Sequence, residues 1–334
     1  MKSYTQHLPT LVQWYEENKR DLPWRQTKDP YRIWISETML QQTTSRAVIP
    51  YYNNFITQFP NLKSLAQAPL EQVYRAWAGL GYYSRARNLH RAAQLLATNS
   101  EFPQSHVELL KLPGFGPYTS RAVASLAFAE PVGVLDGNVI RVLSRWLNQP
   151  VAWWTQAGRK LLQQEIDQWA QQDFSPAIVN QAVMELGATL CSPRSPSCWS
   201  CPLRSSCRAY QGDQVHLLPL AKPKRPKEIW HWQVQIFEHR NNIAILKNHY
   251  APFLRQQWIF PGKVKKLATP PKTYHFRHSI THHDIFVTLR PPQPTIEKWV
   301  ENEAQWIPKE DLASWNPASL LRKALQTNSG GHGE

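Results

Sequence analysis

No run of apolar residues in this 334-residue chain approaches the ~20 that a bilayer-spanning helix needs. The first residues, Met1-Lys-Ser-Tyr-Thr-Gln-His7, contain no apolar signal core. A membrane protein and a secreted one are therefore not expected, and the reading is a soluble, cytoplasmic protein. Cysteine is scarce: there are four, all between Cys191 and Cys207. That crowding excludes a dispersed disulfide framework and leaves a metal or cluster knot. Negative charge is also short, with 24 Asp and Glu against 38 Lys and Arg, a formal net charge of +14. The cations are spread along the chain, so the excess belongs to folded surface and not to a tail. A polyanion is the expected partner, with nucleic acid the default; the plain alternative is a protein that is merely basic. Fifteen Trp and twelve Tyr stand among those cations, so groups that stack on bases accompany groups that bind phosphate.

The chain changes character once. Short helical patterns joined by Pro or Gly run near 8–20, 31–52, 62–68, 70–78, 84–98, 105–111, 117–129, 137–147, 155–171 and 176–189. This first half reads as an all-α array with no strand pattern. Lys222-Pro-Lys-Arg-Pro-Lys227 then makes an extended, solvated linker. Beyond it Trp230–Phe237 alternates at period two, Asn241-Asn242 marks a turn, and 243–246 and 285–289 read as further strands. The expected organisation is a mostly α domain over 1–220, a linker over 221–227, a small α+β domain over 228–325 and a disordered tail over 326–334.

Chemistry concentrates in a few places. Leu112-Pro-Gly-Phe-Gly-Pro-Tyr-Thr119 reads helix, tight turn, helix. Gly114, Phe115 and Gly116 expose backbone N–H groups at a helix start that Pro117 favours, a site for a DNA phosphate. A plain helix corner is the bland reading. Glu37 sits among Ile33, Trp34, Ile35, Met39 and Leu40. A carboxyl packed there has its pKa raised by desolvation and holds a proton near neutral pH; an exposed helix glutamate is the alternative. Asp136, in Val134-Leu-Asp-Gly-Asn-Val139, is placed to cap the next helix while aiming its free oxygen at a ligand. The spacing Cys191-x6-Cys198-x2-Cys201-x5-Cys207 suits a [4Fe–4S] cluster or a structural zinc and does not separate them.

Five segments occur in order: Ser36-Glu-Thr-Met-Leu-Gln-Gln-Thr43, Gly79-Leu-Gly-Tyr-Tyr-Ser-Arg-Ala-Arg-Asn88, Leu112–Thr119, Leu135-Asp-Gly-Asn-Val139 and the four-cysteine loop. Together they closely resemble the adenine DNA glycosylases (MutY type) of the helix–hairpin–helix/Gly-Pro-Asp superfamily, over the whole of residues 1–220. The resemblance implies a helix–hairpin–helix glycosylase fold of two helical lobes with a [4Fe–4S] loop at 191–207. It implies a monomer that acts on double-stranded DNA and excises adenine mispaired with 8-oxoguanine or guanine in base excision repair. Glu37 matches the acid that protonates N7 of the flipped adenine, and Asp136 the carboxylate that stabilises the oxocarbenium-like sugar, the two-carboxylate logic of glycoside cleavage. Tyr118 and Asn138 match groups that order the sugar and the catalytic water. Gln42 and Tyr82 match residues that wedge into the duplex, and Trp24, Arg25 and Leu40 match lining of the adenine pocket. Gln181 falls where some relatives have a carboxylate that reads the adenine amino group. Bifunctional relatives of the endonuclease III type carry an attacking lysine where this chain has Tyr118, so base removal without strand cleavage is expected. Arg121 is a departure, standing beside the hairpin where many relatives carry a small residue.

In the second half, Leu254-Arg-Gln-Gln-Trp-Ile-Phe-Pro-Gly-Lys263 resembles a Nudix-fold segment. The helix of Mg²⁺-binding glutamates that should follow is replaced by Val264–Pro271, which has no carboxylate. The resemblance is thus to the non-hydrolytic, Nudix-like 8-oxoguanine-recognition domain of the same family. Its lesion loop, usually Phe-Ser-His, appears as Ile280-Thr281-His282, with Thr281 and His282 keeping the hydrogen-bonding groups. A metal site built on the local histidines, His275, His278, His282 and His283, is the less favoured reading. The competing functions are a glycosylase for another base, a non-catalytic DNA-binding protein and a nucleotide hydrolase. Glu37, Tyr118 and the second domain argue against the first, Glu37 and Asp136 against the second, and the missing glutamates against the third.

Overall fold

The computed structural model describes residues 4–99, 101–292, 300, 302–316 and 318–330. By contacts the chain divides into two compact units, one of 1–68 with 84–223 and one of 69–83 with 224–334. The helices run α1 (Tyr4–Asn18), α2 (Pro30–Leu40), α3 (Ser45–Gln58), α4 (Leu62–Gln67), α5 (Leu70–Trp77), α6 (Ser84–Leu96), α7 (His106–Leu109), α8 (Pro117–Phe128), α9 (Gly137–Leu147), α10 (Gln156–Ala170), α11 (Pro176–Thr189) and α12 (Arg208–Gln211). All but α5 belong to the first unit. The expected single segment over 31–52 is two helices. Gln41 leaves helical geometry and Gln42 takes a left-handed φ of 60°, so α2 stops, and the Thr44 hydroxyl then caps α3.

α2 begins where Asp29 Oδ1 accepts from the Tyr31 N–H at 2.9 Å, with Pro30 in the first turn. Its residues Ile33 through Met39 are all buried, because α8 packs on one side and α3 on another. Neighbouring α1, α9, α10 and α11 enclose a second core of Leu11, Leu143, Ile166, Trp169 and Val183. Close approach of α9 and α11 requires Gly187: a Cβ there would stand 2.6 Å from Asn138 Cβ.

Residues 221–227 have no regular secondary structure. The second unit is α+β. One sheet has the order β5-β1-β7-β6, from β1 (Glu228–Gln235), β5 (Gly262–Leu267), β6 (Phe276–Ile280) and β7 (His283–Arg290). The other joins β2 (Glu238–His239), β3 (Asn242–Lys247) and β4 (Trp258–Ile259), with β8 (Gln305–Pro308) also on β3. β1 is central, antiparallel to β5 and parallel to β7, which places Trp232 opposite Val287. Trp232, Val234, Ile245, Ile285 and Val287 are buried in the shared core. Val264 lies within the strand β5 and not in a helix. Two expected boundaries change. Residues 69–83 group with the second unit and not with the rest of 1–220. Residues 326–330, read as disordered, continue the terminal helix Ser319–Gly330; Leu320, Leu321 and Ala324 anchor it in the core, and Thr327 Oγ1 donates to the Lys323 carbonyl. Residues 331–334 of that tail lie outside the described residues.

Candidate active site

One cleft in the first unit gathers most of the residues singled out in the sequence. Trp24, Arg25, Glu37, Leu40, Gln42, Tyr118, Asp136, Asn138 and Gln181 all line it, with Gly114 and Gly116 of the hairpin. Glu37 lies in the last turns of α2, only 4% exposed. The Tyr118 hydroxyl, from the first turn of α8, donates to Glu37 Oε2. The Glu37 carboxyl is pushed up to about 7. Burial is the main cause; the Tyr118 bond opposes it, the charge of Asp136 adds to it and Arg25 opposes it. Burial likewise lifts the Tyr118 phenol well above its ordinary range, so it remains a donor.

Asp136 caps α9. Its Oδ1 accepts from the Val139 N–H at 2.7 Å, and its Oδ2 accepts from Asn138 Nδ2 at 2.9 Å. Burial raises its pKa, while those bonds and the charge of Arg141 pull it back. Asn138 is held from its other side, since Arg141 Nη2 donates to Asn138 Oδ1 and to the Gly187 carbonyl, each at 2.8 Å. The segment leading into Asp136 hangs on fully buried Asn180, which accepts from the Val134 N–H at 2.8 Å and donates to the Val132 carbonyl at 2.9 Å. Two carboxyl groups thus face one cleft in different settings, one lifted to neutral pH and one hydrogen-bonded by a helix start.

Only one of the two hairpin glycines is required by its geometry. Gly114 has φ +83° and its Cβ position is 2.9 Å from Asn88 Cβ, so glycine is required there. Gly116 has φ −85°, ordinary extended backbone, with open space where a Cβ would be. What Gly116 leaves free is the start of α8, which no side chain caps. Phe115 is buried and stacks on Trp34 at 5.0 Å, so its ring anchors the hairpin to α2. Arg121 is engaged inside the protein. Its Nη1 donates to Asp167 Oδ1 at 2.7 Å, an oxygen that also accepts from the Gly133 N–H at 2.7 Å.

Trp24 is buried edge-on against Tyr52 at 5.4 Å. Arg25 donates from Nη2 to Glu185 Oε2 at 2.6 Å, and Arg20 Nε donates to Glu185 Oε1 at 2.7 Å. Glu185 is fully buried. Burial alone would raise its pKa, but the bonds from Arg20 and Arg25 outweigh it and bring the carboxyl to about 2. The Gln181 side chain accepts from the Tyr15 hydroxyl at 3.1 Å and donates to the Ala177 carbonyl at 3.3 Å. Glu185, Arg20, Asn180 and Arg141 were not singled out in the sequence. Glu185 stands one turn beyond Gln181 on α11, and Arg141 three residues beyond Asn138 on α9, so helical spacing from the matched residues was the signal available.

At the end of α2, Arg85 Nη1 donates to the carbonyls of Thr38, Met39 and Gln41 at 2.9, 3.1 and 2.6 Å. Gln41 Nε2 reaches Thr119 Oγ1 at 2.9 Å. These bonds flank the left-handed Gln42, whose side chain is exposed. Tyr82 belongs to the second unit, 50% exposed with φ +50°. Thr281 and His282 form the two-residue turn between β6 and β7, Thr281 with φ +54°.

Cys191, Cys198, Cys201 and Cys207 are free thiols lining one apolar cavity with Val142, Leu186 and Val215. Burial pushes the Cys201 thiol up to about 12 and raises Cys198 and Cys207. Arg145 donates to Cys191 Sγ at 3.3 Å and to the Ser192 carbonyl at 2.8 Å, tying the loop to α9. No helix among the described residues is long and apolar enough to cross a membrane.

The profile of the HhH-GPD superfamily base excision DNA repair proteins matches residues 35–171. The chain is 35% identical over 302 residues to the adenine DNA glycosylase of Buchnera aphidicola subsp. Baizongia pistaciae, covering 83% of this chain and 83% of that protein. It is 44% identical over 216 residues to the adenine DNA glycosylase of Homo sapiens, covering 60% of this chain and 39% of the human protein. Among solved structures, a thermostable thymine-DNA glycosylase superposes with a TM-score of 0.58 at 27% identity, over 63% of this chain and 98% of that one. Endonuclease III in a non-covalent DNA complex superposes with a TM-score of 0.52 at 24% identity, over 64% of this chain and 99% of that one, and shares the fold. With Glu37, Tyr118 and Asp136 gathered in one cleft of a helical unit, and with relatives of this identity over most of its length, the chain belongs to the adenine DNA glycosylase family of the HhH-GPD superfamily.

Proposed function

We propose that this chain is a monofunctional base-excision-repair glycosylase that hydrolyses the bond between deoxyribose and adenine mispaired with 8-oxoguanine or guanine. The observation that carries the reading is the buried Glu37–Tyr118 pair facing Asp136 in one cleft, with Glu37 poised at about 7. Adenine leaves the stack at a cost of a few kcal/mol and enters beside Trp24, Arg25 and Leu40. Protonated Glu37 donates to N7, so adenine departs as a neutral base. The C1′–N9 electron pair leaves with it, and positive charge develops on the sugar. Asp136, oriented by Asn138 and the start of α9, lies where its negative charge offsets that cation. Water adds to C1′ and its proton passes to the deprotonated Glu37, which restores the acid. Tyr118 is a phenol and forms no Schiff base, which supports base removal without strand scission. Gln42 and Tyr82 are the duplex wedges in this reading, the hairpin and α8 start take a phosphate, and Thr281 and His282 meet the lesion. The protein acts as a monomer.

The four thiols hold a [4Fe–4S] cluster. Among the described residues no three of them have sulfur atoms within 4.8 Å of one another. A single tetrahedral zinc needs ligand sulfurs about 3.8 Å apart, so the spread supports a larger group. When bound, the cluster braces a loop that presents Arg194, Arg204 and Arg208 to DNA.

Single-turnover adenine release from duplexes with A opposite 8-oxoguanine and A opposite guanine tests the reading, each sample sized with and without alkali. Breaks are expected only after alkali and faster with 8-oxoguanine. Glu37→Gln is expected to bind lesion DNA and release no adenine; wild-type turnover in that variant would move the acid elsewhere.

A further inference from the structure

The Thr281–His282 turn carries a second arrangement of chemistry. β1 and β7 run parallel with Glu228 opposite His283. The turn brings His282 back beside His283, their ring centroids 4.0 Å apart. One donor atom from each of Glu228, His282 and His283 lies within 4.8 Å of the other two, a grouping that carboxylate or cysteine neighbours do not complete elsewhere among the described residues.

We infer that Glu228, His282 and His283 form a reversible site for a divalent transition metal ion of the zinc class. Imidazole nitrogen and carboxylate oxygen are donors that Zn²⁺ takes, and three protein ligands leave a fourth position for water. Ligands of one tetrahedral Zn²⁺, at bonds of about 2.0–2.1 Å, stand about 3.3 Å apart. His283 Nε2 and Glu228 Oε2 are already 3.4 Å apart. Rotation of the His282 side chain at the hairpin tip brings in the third donor. The carboxylate is also held from outside: Lys266 Nζ donates to Glu228 Oε1 at 2.6 Å and Trp230 Nε1 to Oε2 at 3.1 Å. Metal-binding carboxylates commonly have such support. Lys266 and Arg255 oppose a cation here, and their charges make the site exchangeable and not a permanent structural centre.

The consequence, which rests on the reading of His282 as a lesion contact, is competition. An ion on His282 withdraws that ring from 8-oxoguanine. Calorimetric titration of the cluster-loaded, full-length protein with Zn²⁺ is expected to show uptake of one ion per chain, lost in both Glu228→Gln and His283→Gln. No uptake by wild type at high-micromolar Zn²⁺, or undiminished uptake by both variants, overturns the site. Should the variants fail to fold, modification of wild-type histidines by diethylpyrocarbonate decides: Zn²⁺ protection of His282 and His283 supports the site and equal modification overturns it. Adenine release from the two duplexes with and without Zn²⁺ then tests the consequence. A several-fold loss of the preference for 8-oxoguanine in wild type, absent in His283→Gln, supports competition. Uptake with an unchanged preference leaves the metal site standing and overturns the reading of His282 as the lesion contact.

Discussion

Replacing Tyr118 by phenylalanine removes one hydroxyl and tests the acid assignment by the sign of a pH shift. The Tyr118 hydroxyl donates to Glu37 Oε2 and so favours the charged carboxylate, against the burial that raises it to about 7. A buried hydrogen bond to a charged group is worth about 1.5–3 kcal/mol. At about 1.4 kcal/mol per pH unit, its loss lifts Glu37 by about one to two pH units, toward about 8–9. Catalysis needs Glu37 protonated, so the single-turnover rate is high below this pKa and falls as pH rises through it. The wild-type alkaline limb is expected at about 7. In Tyr118→Phe the limb moves upward, whatever happens to the plateau. At pH 8 wild type retains about a tenth of its plateau and the variant about half or more. Adenine release measured across pH 5.5 to 9.5, each profile scaled to its own plateau, reads the midpoint directly. A variant midpoint equal to wild type or below it would refute the reasoning, because the hydroxyl would then not be stabilising the Glu37 carboxylate.

Glu185→Gln should cost about 3 kcal/mol at neutral pH, since its carboxyl titrates at about 2 when folded against an ordinary 4.5. That stability is fully present above about 4.5 and lost as pH falls toward 2, so urea melts of wild type and variant should converge in acid; a constant difference down to pH 2 would place the effect elsewhere. Gly187→Ala puts a methyl group 2.6 Å from Asn138 Cβ, so a loss of about 1–3 kcal/mol in thermal stability and slower adenine release are expected; unchanged melting and rate would mean that α9 and α11 separate freely. Arg85→Ala removes three bonds to the end of α2 beside Gln42. Binding of lesion duplex should weaken more than tenfold, with partial recovery in Arg85→Lys, as read by fluorescence anisotropy.

Sequence alone determined what is local. The change from helical to period-two patterning at the 222–227 linker marked an α half and an α+β half, and both are present. Asp136 as a helix cap needs only the Asp-Gly-Asn order and the helix that follows, and that is its setting. Cysteine spacing marked a single loop, and the four thiols do share one cavity. Other features depend on residues far apart in the chain. Glu37 reaches about 7 because α8 packs against α2 and buries the carboxyl, more than the bond from Tyr118 of that helix, 81 residues further along the chain, offsets. Arg25 is held by Glu185 across 160 residues, and Arg121 finds Asp167 46 residues on, so neither guanidinium is the free cation that composition suggests. The need for glycine at 114 and not at 116 follows from its φ of +83° together with the approach of Asn88, and the second of these no turn rule contains. The grouping of 69–83 with the second unit and the anchoring of the terminal helix were likewise beyond local pattern. Periodicity and spacing record what a segment prefers by itself. Desolvation, ion pairing and steric approach are set by which distant surface folds against it, and only the tertiary structure decides that.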